Sequence, residues 1–202
     1  MHRLSQILLV LVTAALASSC GAARPSKYYA LDLPAVAPAT GGPYPVALLV
    51  GRISAPHLYR DERVVYRTGE VQIGTYEYHR WAEPPTDMLE TMLVRSLRAS
   101  GKYQTVQRLA SNTRGDYILR GRLHRLEEVA GPPMLARVTF ELELYDQKTG
   151  TTVWTHYYSS DEPVNGKEVP DVVQAINRNV QRGLAESLAD LDRYFASNSA
   201  KK

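Results

Sequence analysis

The chain contains a single cysteine, Cys20, and no partner with which it could form a disulfide. Its thiol is therefore the first group to explain, and it stands directly behind a short apolar run. The other groups capable of chemistry are scattered. His57, His79, His124 and His156 include no pair at metal-ligand spacing. His124 and His156 both fall on expected strands, where they are satisfied polar groups unless the fold brings them together. Glu141 and Glu143 share one strand face and read as solvated side chains rather than an acid–base pair. Asp161-Glu162 falls in an expected loop with nothing to support a cation site. There is no nucleophile elbow, phosphate-binding glycine loop or dinucleotide fingerprint. The expectation is a non-enzymatic chain with no cofactor and no metal.

The segment ahead of Cys20 has a signal-peptide layout. A basic residue at Arg3 is followed by Ile-Leu-Leu-Val-Leu-Val at 7–12 and by the small residues Ala17-Ser18-Ser19. The run is shorter than the roughly 20 apolar residues of a membrane-spanning helix. The stretch resembles the lipobox of bacterial lipoproteins, which implies that residues 1–19 are removed and Cys20 carries the lipid. The lipobox usually has Leu three residues before the cysteine, and here that place is Ala17, with Leu16 one step further out. An ordinary cleavage site followed by an unmodified cysteine is the alternative. Residues 20–26 read as a tether, 27–195 as one domain and 196–202 as a disordered tail.

Composition is that of one folded domain, with 44% hydrophobic and 22% charged residues and a formal net charge of +3. That balance argues against nucleic-acid binding. Tyrosine dominates the aromatics, thirteen against two Phe and two Trp. Most fit half-buried strand positions, and some fit a contact surface.

The periodicities arrange these residues on a few elements. Lys27–Leu33 reads as a short strand ended by Pro34, before a Pro-, Ala- and Gly-rich loop to Pro45. Val46–Val50 reads as a strand covered on both faces, continuing toward Ile53. Val64–Arg67 and Glu70–Ile73 form a hairpin across Thr68-Gly69, and Tyr76, Tyr78 and Trp81 follow on an extended segment with their rings facing one way. Leu89, Met92, Leu93, Ser96 and Leu97 form a helical stripe that opens at Pro84-Pro85 and closes at Gly101. Tyr103–Gln107 is a short strand. Tyr117–Glu127, Arg137–Asp146 and Thr152–Ser160 then form an antiparallel meander whose middle strand alternates cleanly. A second helix runs from Pro170 to Tyr194 with Gly183 marking close packing. The expected fold class is α+β, a mainly antiparallel sheet with two amphipathic helices on one face.

Tyr28-Tyr29-Ala30-Leu31, Ala55-Pro56-His57-Leu58-Tyr59-Arg60 and above all Tyr78-His79-Arg80-Trp81-Ala82-Glu83-Pro84 resemble the ABC-type transport auxiliary lipoprotein family, which includes paraquat-inducible protein C-like lipoproteins. The likeness covers nearly the whole mature chain. It departs from the family's usual Pro-x-Tyr-Leu-Asp-Arg segment, since Leu58 and Tyr59 stand in exchanged order with Arg60 directly behind. The resemblance implies a membrane-anchored, periplasm-facing lipoprotein. It would work with an ABC transporter and an MCE-type substrate-binding protein in lipid or hydrophobic-solute traffic, probing no substrate chemically. Localisation at the outer membrane and a homo-oligomeric ring are further implications, and lipid attachment is assigned to Cys20 alone. Tyr59, Arg60, Tyr76, Tyr78 and Trp81 are the expected partner-binding residues, because Tyr, Trp and Arg dominate interface hot spots. Trp81 has the competing role of closing the first helix against the sheet. An outer-membrane assembly lipoprotein that chaperones a barrel or secretin is the alternative reading.

Overall fold

A computed structural model describes residues 24–32, 43–110 and 112–199. Cys20, the signal segment, Leu33, most of the Pro-rich loop and residues 200–202 lie outside the described residues. The described chain runs β1 (Lys27–Tyr29), β2 (Tyr44–Ser54), a 3-10 turn (His57–Tyr59), β3 (Arg63–Thr68), β4 (Gln72–Trp81) and α1 (Pro85–Ser100). It continues through β5 (Tyr103–Arg108), β6 (Tyr117–Ala130), β7 (Leu135–Asp146), β8 (Thr151–Pro163) and α2 (Val169–Ser199).

All eight strands join one sheet, and the longest, β6, organises it. One edge of β6 pairs antiparallel with β7 along nearly its whole length. Its other edge is shared, with β2 beside Tyr117–Arg122 and β3 beside Glu127–Ala130, both parallel to it. β5 lies parallel outside β2, and β1 lies parallel outside β4. The hairpin β3–β4 and the meander β6–β7–β8 are antiparallel. The sheet is therefore mixed, which corrects the expectation of a mainly antiparallel one. Hydrophobic alternation reports which face of a strand is covered and carries no information about the direction of its neighbours.

Both helices cover the same face. α1 begins behind Pro84 with Pro85 in its first turn, and ends at Gly101, whose φ of 63° is the left-handed conformation that a C-terminal glycine supplies without strain. Its stripe Leu89, Met92, Leu93, Ser96 and Leu97 is buried against β2 and β5. α2 lies on β7 and β8, with Val173, Ile176, Val180, Leu184 and Leu191 buried. Between the two helices, Leu89 and Leu184 converge over Phe140 and Leu142 of β7. A polar residue ties α2 down as well. Buried Asn179 donates through Nδ2 to the carbonyls of Ala136 (2.9 Å) and Ser160 (2.9 Å), and its Oδ1 accepts from the Tyr158 hydroxyl (2.7 Å).

The second helix continues to Ser199, past the expected end at Tyr194. Buried Phe195 is the reason, since its ring meets Tyr44, Tyr103, Tyr117 and Tyr194 at centroid distances of 5.3–5.6 Å. β8 also runs further than expected, to Pro163, so Asp161 and Glu162 stand on a strand rather than in a loop. Both are ion-paired. Asp161 accepts two bonds from Arg137 (2.8 and 2.7 Å), and Glu162 accepts from Arg182 (2.8 Å) and Arg178 (3.2 Å) of α2.

Gly183 confirms the expected close approach of helix to sheet. A Cβ there would lie 2.6 Å from the Tyr158 ring and 2.9 Å from Phe140. In an open helix, Gly to Ala gains up to about 1 kcal/mol. Gly183→Ala is expected to lose ~1–3 kcal/mol by overpacking, read as a lowered urea midpoint. The Arg-paired carboxylates give a pH dependence. Arg137 holds Asp161 below its ordinary 3.8, and Arg182 with Arg178 holds Glu162 below its ordinary 4.5. Folded-state values below the unfolded ones mean that the stabilisation is complete above the ordinary values and is lost as pH falls through the lowered ones. Urea midpoints should therefore drop from about pH 4.5 downward, and Glu162→Gln should flatten that slope.

Candidate partner surface

The five residues expected to bind a partner do not gather on one exposed patch. Tyr59 is buried, and its hydroxyl donates to Glu127 Oε2 at 2.6 Å. Glu127 is wholly buried on the central strand, and Arg67 of β3 reaches it through Nε (2.8 Å) and Nη2 (3.2 Å). A carboxylate without solvent needs such donors, because burying an uncompensated charge costs several kcal/mol. Burial and the neighbouring Glu127 push the Tyr59 hydroxyl well above its ordinary value, opposed in part by Arg67. The 3-10 turn thus bolts a cover over this end of the sheet, and Tyr59 is an internal residue.

Trp81 is also internal, at 0% exposure. Its backbone N–H donates to the Glu62 carbonyl (2.5 Å), and the next residue, Ala82, donates to Tyr29 (2.7 Å), so the Trp-Ala-Glu-Pro element closes the strand-to-helix corner. Tyr59 thus serves the core rather than an open contact surface, and the burial of Trp81 agrees with its competing role of closing the first helix against the sheet. A register shift between β3 and β4 falls between Arg80 and Thr75, and Trp81 lies in the core cluster with Tyr76 packed against it. Tyr76 is half-buried, packs against Tyr66 (5.0 Å) and His79 (5.6 Å), and donates to buried Glu128 at 2.7 Å. Tyr78 is half-buried, and Arg60 is exposed and makes no ion pair among the described residues.

The histidines do not converge. His124 Nε2 lies 3.6 Å from Glu141 on the helix-free face, whereas His156 stands opposite buried Leu142 and contacts Asp190 of α2 at 3.2 Å. No group of three His, Cys, Asp or Glu able to hold a metal occurs among the described residues.

Among the described residues, two concavities open on the remaining surface. One, of about 850 Å³, lies between the end of β2 and the first half of α1 and includes Arg52, Arg60, Glu83, Asp87 and the ion pair Arg108–Glu90. The other, of about 420 Å³, is a trough on the helix-free face lined by Arg52, Arg120, Arg122, Glu141, Glu143 and Leu109. They share Arg52 and Ser54. The arginines of the trough were absent from the expected set, although Arg120 and Arg122 stand at period two in a strand, a pattern that places both on one face.

Two neighbouring residues should separate by their effect on stability. Tyr59→Phe leaves buried Glu127 short of a donor and should cost about 1.5–3 kcal/mol in urea unfolding. Arg60→Ala, on an exposed side chain, should stay within about 0.5 kcal/mol.

The fold recurs in solved structures. The Xanthomonas campestris protein XCC0632, of the DUF330 family, superposes with a TM-score of 0.77 at 23% identity, covering 88% of this chain and all of that one. A crystal structure of an uncharacterized protein follows at 0.65 and 17% identity, covering 83% and 99%. The Chlamydia trachomatis hypothetical protein CT253 gives 0.52 at 8% identity, covering 75% and 98%. Likeness at these identities establishes shared architecture alone. No curated protein matches the chain. The family described as ABC-type transport auxiliary lipoprotein component matches residues 29–189, the whole span from β1 into α2. This chain belongs to the ABC-type transport auxiliary lipoprotein family.

Proposed function

We propose that this protein is the lipid-anchored, non-catalytic auxiliary component of an ABC transporter, acting with an MCE-type substrate-binding protein in lipid or hydrophobic-solute traffic across the cell envelope. The family match over residues 29–189 carries the reading. Cys20 supplies the anchor, since two or three acyl chains hold a protein at a membrane where one gives only marginal attachment. No helix among the described residues is long and apolar enough to cross a membrane. The anchor sits at the outer membrane and the domain faces the periplasm. A ring of identical copies is the proposed working form.

Two measurements test this. The mature N-terminus should begin at Cys20 with a mass that includes diacylglycerol, and Cys20→Ser should shift the protein from the membrane to the soluble fraction. An unmodified cysteine or cleavage elsewhere would remove the anchor. Crosslinking in intact cells followed by pull-down should recover the transporter and its MCE-type protein. Recovery of a barrel protein or secretin instead would overturn the transport reading.

A further inference from the structure

We propose that the helix-free face of β6 is a docking surface for an acidic, extended segment of a partner polypeptide. This rests on the reading of the chain as a partner-docking component and names the chemistry its partner must present.

Arg120, Arg122 and Arg125 are exposed along the helix-free face of β6, and exposed Arg52 of β2 lies beside them. None of the four makes an ion pair among the described residues. The register would permit pairing, since Arg120 stands across from Glu143 and Arg122 from Glu141 on β7. Elsewhere on the same face, Arg67 and Arg137 are held by Glu127 and Asp161. The three guanidiniums that line the trough, Arg52, Arg120 and Arg122, against the two carboxylates of Glu141 and Glu143 leave it positive, and a concave wall concentrates that field. The Arg120 guanidinium carbon also lies over the Tyr145 ring, 4.6 Å from its centroid.

The edges of the trough are apolar. Leu109, 44% exposed, lines it at the end of β5, and Tyr157, 62% exposed, lies across from Glu141 on β8. A ligand crossing from β5 to β8 would meet a leucine, then arginines, then carboxylates, then a tyrosine. The β2–β6–β7 floor spans three strands, about 10 Å, which suits one extended chain. A bilayer or a nucleic acid would press dense phosphate onto Glu141 and Glu143 as well as onto the arginines, whereas a polypeptide can place its carboxylates selectively. Arg and Tyr are also the residues that carry most energy in protein interfaces.

The test uses the purified mature domain and a fluorescein-labelled peptide of alternating Glu and Leu, with an alternating Gln and Leu control, read by anisotropy at low and physiological salt. The acidic peptide should bind about tenfold more tightly than the control and weaken as salt rises. The double variant Arg120→Gln/Arg122→Gln should lose about tenfold, Arg52→Gln on a different strand should lose affinity separately, and Arg95→Gln on α1 should change nothing. Unfolding midpoints of each variant confirm that the fold is retained, and Arg52→Gln decides the question if the double variant does not fold. Equal binding of the two peptides, indifference to the arginine variants, or tighter binding to phosphatidylglycerol vesicles or duplex DNA would overturn the proposal. Full crosslinking to the transporter by Arg120→Gln/Arg122→Gln in cells would sink this inference and spare the transport reading. Arginine-dependent peptide binding without any transporter crosslink would do the reverse.

Discussion

A fourteen-residue central strand must find partners for its backbone N–H and C=O groups along both edges, and β6 meets that requirement asymmetrically. β7 serves one edge along nearly its whole length, and the other is divided between β2 and β3, each too short to serve it alone. Much follows from that division. β2 and β3 both run parallel to β6, one after the other along the same edge, so the sheet is mixed and the chain between them makes an excursion out of that edge. The 3-10 turn lies in this excursion and places Tyr59 over Glu127.

The two faces of the sheet then diverge in chemistry. One carries both helices and nearly all of the apolar core, including the Leu89–Leu184 meeting point above Phe140. The other has no helix. At one end it is closed by the 3-10 turn, where the buried carboxylate of Glu127 is matched by Arg67 and Tyr59. At the other end it stays open, and there Arg120, Arg122 and Arg125 of β6 make no ion pair among the described residues. The same residue types thus serve as internal fasteners where water is excluded and as surface charge where it is not, with burial deciding between them.

Tyrosine follows the same rule. Tyr59, Tyr103 and Tyr158 are buried, and the hydroxyls of Tyr59 and Tyr158 are satisfied by Glu127 and Asn179. Tyr28 and Tyr157 are more than half exposed. An amphipathic ring fits either setting, so its abundance in the composition said little about which positions face a partner.

Local pattern was sufficient for the elements themselves. The α1 stripe with its Pro-Pro start and Gly101 stop, the β3–β4 hairpin, the alternation of β7 and the tight contact at Gly183 all follow from short-range sterics and from which side of an element must be dry. These are properties of neighbouring residues, and a linear sequence displays them. Strand direction, the burial of Tyr59 and Trp81, and the separation of His124 from His156 depend on contacts between residues far apart in the chain. Glu127 shows the reason most plainly: its partners Tyr59 and Arg67 are 68 and 60 residues away. A tyrosine that looks available to a partner is claimed by a buried charge that only the folded sheet brings beneath it.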